Sequence, residues 1–170
     1  MMIGITGTPG TGKSAAAAEL RARGFLVVDL KTTVAPYVVA HDAVRDADEV
    51  DVDAWADAFS YTEGYVEGSL AHFLACDKIV VLRCRPDVLK LRLASRGYAA
   101  AKVAENCQAE ALDVILSETA DMFASEQVYE IDTTNRDVVS VADLIVSFAA
   151  GEIPASFGTI DWSEFLDPML

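Results

Sequence analysis

The chain has 170 residues, enough for one compact domain with a full hydrophobic core. Asp and Glu number 27 against 13 Lys and Arg, a formal net charge of −14, which argues against a broad nucleic-acid-binding face. Apolar runs last only a few residues, far short of the roughly 20 that span a bilayer, and the N-terminus leaves no room for a cleavable signal, so a soluble cytoplasmic protein is expected.

Met1 to Thr6 is a short apolar run ending at a glycine-rich turn, and it reads as a buried parallel strand. Ser14 to Arg23 is rich in Ala, Leu, Glu and Arg, which predicts a helix stopped by Gly24. Phe25 to Val28 reads as a second strand, closed by Asp29. Strand, glycine loop, helix and strand within about thirty residues make a βαβ unit. Leu30 to Ala40 and Val52 to Ser60 read as helical, with a polar stretch from His41 to Asp51 between them. Tyr65 to Glu67 is a short strand, and Lys78 to Arg83 a central one. Pro86 opens a helix to about Ser95, where Gly97 breaks it. Ala101 to about Ser125 reads as one long helix, Val128 to Ile131 as a last strand and Val138 to Ala149 as a last helix. The tail reads as mostly extended, with a turn of helix around Trp162. This alternation predicts an α/β domain with a mostly parallel sheet and helices on both faces. Ligands of such sheets bind at the carboxyl ends of the strands. Cys76, Cys84 and Cys107 have neither zinc nor redox spacing and read as reduced, partly buried thiols.

The chemistry is densest in Gly7-Thr8-Pro9-Gly10-Thr11-Gly12-Lys13-Ser14, a full Gly-x-x-x-x-Gly-Lys-Ser pattern with a strand before it and a helix after it. The glycines let consecutive N–H groups curl toward phosphate oxygens, and the helix adds its positive end. The pattern predicts ATP with Mg²⁺ as ligand, Lys13 reaching the β- and γ-phosphates and the Ser14 hydroxyl on the metal. A carboxylate near the metal is expected at the end of another strand; Glu67 is the first candidate and Asp29 the second. Asp29 reads equally well as a helix cap. Arg83, Arg85, Arg92 and Arg96 cluster in a chain with few arginines. Arg96, beside the Gly97-Tyr98 break, is expected to contact phosphate, and solvated charge is expected for Arg92 or Arg85. His72 reads as a proton relay or as a hydrogen-bonded structural residue. His41 is expected to face solvent, and Trp55 and Trp162 to anchor packing.

Several further runs carry a resemblance: Val66-Glu67-Gly68-Ser69-Leu70-Ala71-His72, Arg92-Leu93 through Arg96-Gly97-Tyr98, Glu105-Asn106 followed by Ala109-Glu110, Tyr129-Glu130-Ile131-Asp132-Thr133-Thr134, and Ile160-Asp161-Trp162. With the phosphate loop they resemble the archaeal and eukaryotic adenylate kinase isoenzyme 6 family over nearly the whole chain. The resemblance implies an adenylate-kinase-like P-loop core in a single domain over residues 1–170. It implies phosphate transfer from ATP to AMP or other monophosphates, ATP hydrolysis, and a part in small ribosomal subunit maturation with a platform ribosomal protein. By position, ATP contacts would be Gly10, Gly12, Lys13, Ser14 and Ala15, with Arg96 in a lid of about residues 95–105. The catalytic set would be Lys13, Glu67 and Arg96, and the metal ligands Ser14 and Glu67. The monophosphate-binding segment would be about residues 30–52. Relatives commonly carry a histidine two positions after the acidic residue of the Glu67 strand, where this chain has Ser69. Some also place an arginine after the Asp-Leu pair, where Lys31 or Arg45 would have to serve. An ATPase assembly factor with incidental kinase activity and a small-molecule kinase of similar fold stand as alternative readings.

Overall fold

The computed structural model describes residues 1–43, 47–61 and 63–166. Strand β1 (Met2–Thr6) is buried along its whole length, as an uncharged run in the middle of a sheet must be. Helix α1 (Lys13–Ala22) starts directly from the phosphate loop, with Gly12 as its left-handed N-cap. Strand β2 (Val27–Asp29) follows.

The next segment departs from the expected helix. Helix α2 (Lys31–Val34) lasts one turn and tightens into a 3₁₀ turn at Ala35–Tyr37. Pro36 has no N–H to continue the ladder, and β-branched Val38 and Val39 favour extended backbone. The chain then forms β3 (Val38–Asp42) and β4 (Ala47–Val50), an antiparallel pair apart from the main sheet. The polar stretch is thus largely a hairpin; Arg45 lies outside the described residues. Helix α3 (Val52–Ala58) is capped by Asp51, whose carboxylate accepts from the Ala54 N–H at 3.1 Å.

Strands β5 (Gly64–Glu67) and β6 (Lys78–Arg83) and helix α4 (Pro86–Ser95) fall where expected. The single long helix does not form. It is divided into α5 (Ala100–Ala111) and α6 (Val114–Met122) at Asp113, which sits at φ +56°. Aspartate tolerates this conformation better than most residues, and its carboxylate is held there by Arg83. Strand β7 (Val128–Asp132) and helix α7 (Val138–Ala150) complete the core. The tail runs beside β7, with the Glu130 N–H donating to the Ser156 carbonyl at 2.8 Å, and ends in a 3₁₀ turn at Ser163–Phe165.

The main sheet is parallel throughout, in the order β2-β5-β1-β6-β7. Alternate side chains feed two cores. Ile3, Ile5, Val80 and Leu82 pack on one face with α1 and α7. Met2, Ile79, Val81 and Val66 pack on the other with Trp55 of α3 and Leu116 of α6. Trp55 is buried and its indole N–H donates to the Thr33 hydroxyl at 2.9 Å, a packing anchor as expected. Since every strand points the same way, Thr6, Asp29, Glu67, Arg83 and Asp132 end at one edge of the sheet. The phosphate loop leaves from the centre of that edge. Among the described residues no helix is long and apolar enough to cross a membrane.

Candidate active site

The loop between β1 and α1 is held by its own polar groups. The Thr8 carbonyl accepts from the Thr11 N–H at 3.2 Å and the Thr11 hydroxyl at 2.8 Å. Lys13 folds back on the loop, its Nζ donating to the Gly7 carbonyl at 2.7 Å and the Thr8 carbonyl at 3.1 Å. Burial lowers the Lys13 pKa to about 8, with Glu67 opposing the shift. Gly7 sits at φ +144°, and a Cβ there would lie 2.4 Å from the Leu82 carbonyl oxygen. That oxygen belongs to β6 and cannot move aside. Gly7→Ala is therefore expected to lower the melting temperature in a thermal-shift assay. An unchanged melting curve would show that the loop tolerates a side chain.

Two clefts open on either side of this loop and share Gly10, Gly12 and Arg96. The first, about 170 Å³, has Lys13, Ser14, Asp29, Lys31 and Glu67 among its lining residues. Leu30, Val34, Leu70 and Tyr98 give it an apolar wall. Glu67 is 4 % exposed, and burial, followed by the neighbouring Asp29 charge, raises its pKa, with Lys13 pulling the other way. Asp29 lines this cleft and is not the N-cap of α2, which is Leu30; its Oδ1 accepts from the Lys31 N–H at 2.9 Å. Ser14 and Glu67 thus face one space with oxygen donors only, a set that suits Mg²⁺.

The second cleft, about 320 Å³, lies between the loop, α4 and the segment after β7, and Ala15 and Arg136 line it. Arg92 lines it as well and is not a solvated charge. Its Nη2 donates to the Thr133 carbonyl at 2.9 Å and the Thr134 carbonyl at 3.3 Å, and its Nη1 to the Gly10 carbonyl at 3.4 Å. Arg92 and Arg136 are the basic residues that sequence reasoning missed here. Helical spacing from Arg96 back to Arg92 was the available signal for the first; Arg136 had none. Arg85 instead pairs with Asp87 at the surface, at 2.7 Å. Arg83 does not reach either cleft. It is 2 % exposed and binds Glu110, Glu130 and Asp113 beneath the loop.

His72 is buried behind the same edge. Its Nδ1 lies 3.1 Å from the Thr6 hydroxyl and its Nε2 2.9 Å from the Glu118 carboxylate. Burial lowers its pKa, while Glu118 opposes the shift. This is the hydrogen-bonded structural histidine of the two readings, and it lies outside the clefts. Ser69 lines the first cleft. His41 is exposed on β3 and lies 2.8 Å from Asp48. The three cysteines are free, and burial pushes the Cys76 thiol up to about 12 and the Cys84 thiol up to about 11.

A parallel sheet with a glycine loop between its central strand and the first helix defines a P-loop nucleotide-binding domain with an adenylate-kinase-like core. Residues 3–113 match a family described as AAA domain. A protein of Natronomonas pharaonis named "Putative adenylate kinase" is 42 % identical over 169 residues, covering 98 % of this chain and 100 % of that one. Proteins of the same name from Methanothermobacter thermautotrophicus (41 % identity, 97 % and 99 % covered) and Halobacterium salinarum (42 %, 98 % and 100 %) are similar over the same span. The chain belongs to this archaeal adenylate kinase family. Among solved structures, a gluconokinase from Sinorhizobium meliloti has a TM-score of 0.57 at 18 % identity, covering 89 % of this chain and 92 % of its own. A deoxyadenosine kinase from M. mycoides reaches 0.60 at 14 % identity, covering 90 % and 100 %. At these identities the likeness is one of fold.

Proposed function

We propose that the protein is an ATP-dependent nucleoside monophosphate kinase of adenylate kinase type. An oxygen of the monophosphate attacks the γ-phosphorus of ATP, the bond to the β-bridging oxygen breaks, and ADP and a nucleoside diphosphate leave. The observation that carries this reading is the pair of clefts that meet at Gly10, Gly12 and Arg96. A two-substrate transfer needs two pockets opening on one reacting point.

The second cleft would take the nucleoside of ATP against Arg92 and Thr133, with Ala15 at its floor. The loop N–H groups and the N-terminus of α1 would receive the phosphates. Lys13 would exchange the Gly7 and Thr8 carbonyls for phosphate oxygens. Ser14 and Glu67 would hold Mg²⁺, which supplies charge neutralisation on the transferring group. The monophosphate would lie in the first cleft along Leu30, Val34 and Leu70, with Lys31 near its phosphate. The segment of about residues 30–52, hairpin included, would cover it. Arg96, in the lid of about residues 95–105, would close over the transferring charge.

ADP should form faster from ATP and Mg²⁺ when AMP, CMP, GMP or UMP is added than from ATP alone. If none of the four accelerates turnover, the kinase reading fails. The rate without acceptor reads any hydrolysis of ATP. A part in small-subunit maturation with a ribosomal protein rests on the sequence resemblance, and nucleotide-dependent recovery of small-subunit components from extract tests it.

A further inference from the structure

The phosphate loop is anchored from below by a carboxylate that none of the cleft chemistry uses. Glu110, near the end of α5, is 2 % exposed. Its Oε2 accepts from the Thr8 hydroxyl at 2.5 Å. Its Oε1 accepts from Arg83 Nε at 2.7 Å and from the Cys84 N–H at 3.0 Å. Arg83 extends the frame to Glu130, at 2.6 Å, and to Asp113 at the α5–α6 corner. The second oxygen of Glu130 accepts from the Gly158 N–H at 2.9 Å.

Thr8 is the point where this frame meets the loop. Its hydroxyl is fixed by Glu110, while its carbonyl holds Thr11 and Lys13. Rotation of the Thr8 peptide would therefore disturb the carbonyl that Lys13 leaves when phosphate arrives. Glu110 also sits on the helix whose first turn follows the Arg96-Gly97 break. Cys84, Leu89, Leu93 and Val103 pack between α4 and α5 and tie the two helices together.

We propose that Glu110 is a positioning residue for ATP: through the Thr8 hydroxyl it holds the phosphate loop in its binding form and links that form to the helix carrying the lid. The inference deepens the kinase reading and rests on it only for the role of the lid.

Direct binding of ATP·Mg²⁺ by calorimetry, with steady-state kinetics on the best monophosphate, tests it. Thr8→Val keeps the shape and loses the donor to a charged acceptor. It is expected to weaken ATP binding about tenfold, the loss typical of one charge-assisted hydrogen bond. KM for the monophosphate should stay unchanged, because Thr8 does not line the first cleft. Thr8→Ser should restore ATP affinity. Glu110→Gln keeps an oxygen for Arg83 but replaces the charged acceptor of the Thr8 hydroxyl by a neutral amide, so it should show a smaller loss, again selective for ATP, which serves if Thr8→Val folds poorly. Thr8→Val with wild-type ATP affinity, or equal losses for both substrates, overturns the proposal. Wild-type protein that binds ATP but is not accelerated by any monophosphate sinks the kinase reading instead and leaves the Thr8 comparison intact.

Discussion

Lys13→Met is expected to lower phosphoryl transfer by roughly 10² to 10³ or more, the loss typical of one preorganised group facing developing charge, while leaving the melting temperature near neutral pH close to that of the wild type. Lys13 is held in a buried site that lowers its pKa from 10.5 to about 8 and so disfavours its charged form. Methionine removes that buried charge at similar length but gives up two charge-assisted hydrogen bonds to the Gly7 and Thr8 carbonyls, about 1.5–3 kcal/mol each, so gain and loss offset each other. Because the folded pKa lies below the unfolded one, the unfolded chain keeps its proton longer as pH rises. Wild-type stability therefore gains from this group between about pH 8 and 10.5, and Lys13→Met lacks that gain. Phosphates close to Nζ favour the charged form, so ATP binding near pH 8 should take up protons in the wild type and less in the variant. Calorimetry in buffers of different ionisation enthalpy reads this. A Lys13→Met protein with the same proton uptake as the wild type would contradict the burial argument.

The phosphate loop was legible because its chemistry is local. Eight consecutive residues contain the pattern, and their φ angles answer to their own glycines. The β6 strand and the α4 helix were legible for similar reasons, an unbroken Ile79-Val80-Val81-Leu82 run and a first-turn Pro86. The β3–β4 pair was hidden because its residues are mostly exposed, and Val38, Val39 and Ala40 follow one another with no alternating apolar face to mark a strand. The α5–α6 break was hidden for a different reason. Leu112-Asp113 has no glycine or proline, and the turn is held by Arg83 from another part of the chain. The same holds at the site. Glu67 could be placed because it ends a strand, whereas Arg92 and Glu110 take their roles from Thr133 and Thr8, which lie 41 and 102 residues away. Periodicity reports which face a residue occupies; it does not report which polar group waits there.

Arg83→Met is expected to cost about 3–5 kcal/mol, the usual penalty for removing one partner of a buried ion pair. In a chain of this length that is a fall of roughly 10 °C or more in melting temperature. The physical reason is the charge count. One guanidinium serves Glu110, Glu130 and Asp113, whose side chains are 3 %, 1 % and 40 % exposed. Without it two carboxylates stay buried beside each other with only neutral donors, the Thr8 hydroxyl and backbone N–H groups of Cys84, Gly158 and Thr159. Asp113 also loses the partner that holds its left-handed turn, so the α5–α6 corner should loosen with it. Arg83→Lys restores the charge but not the forked geometry that reaches three partners, and should fall between the two. Thermal melts of the two variants separate charge from shape: Arg83→Lys with the same deficit as Arg83→Met would mean that the frame is held by the shape of the side chain and not by its charge.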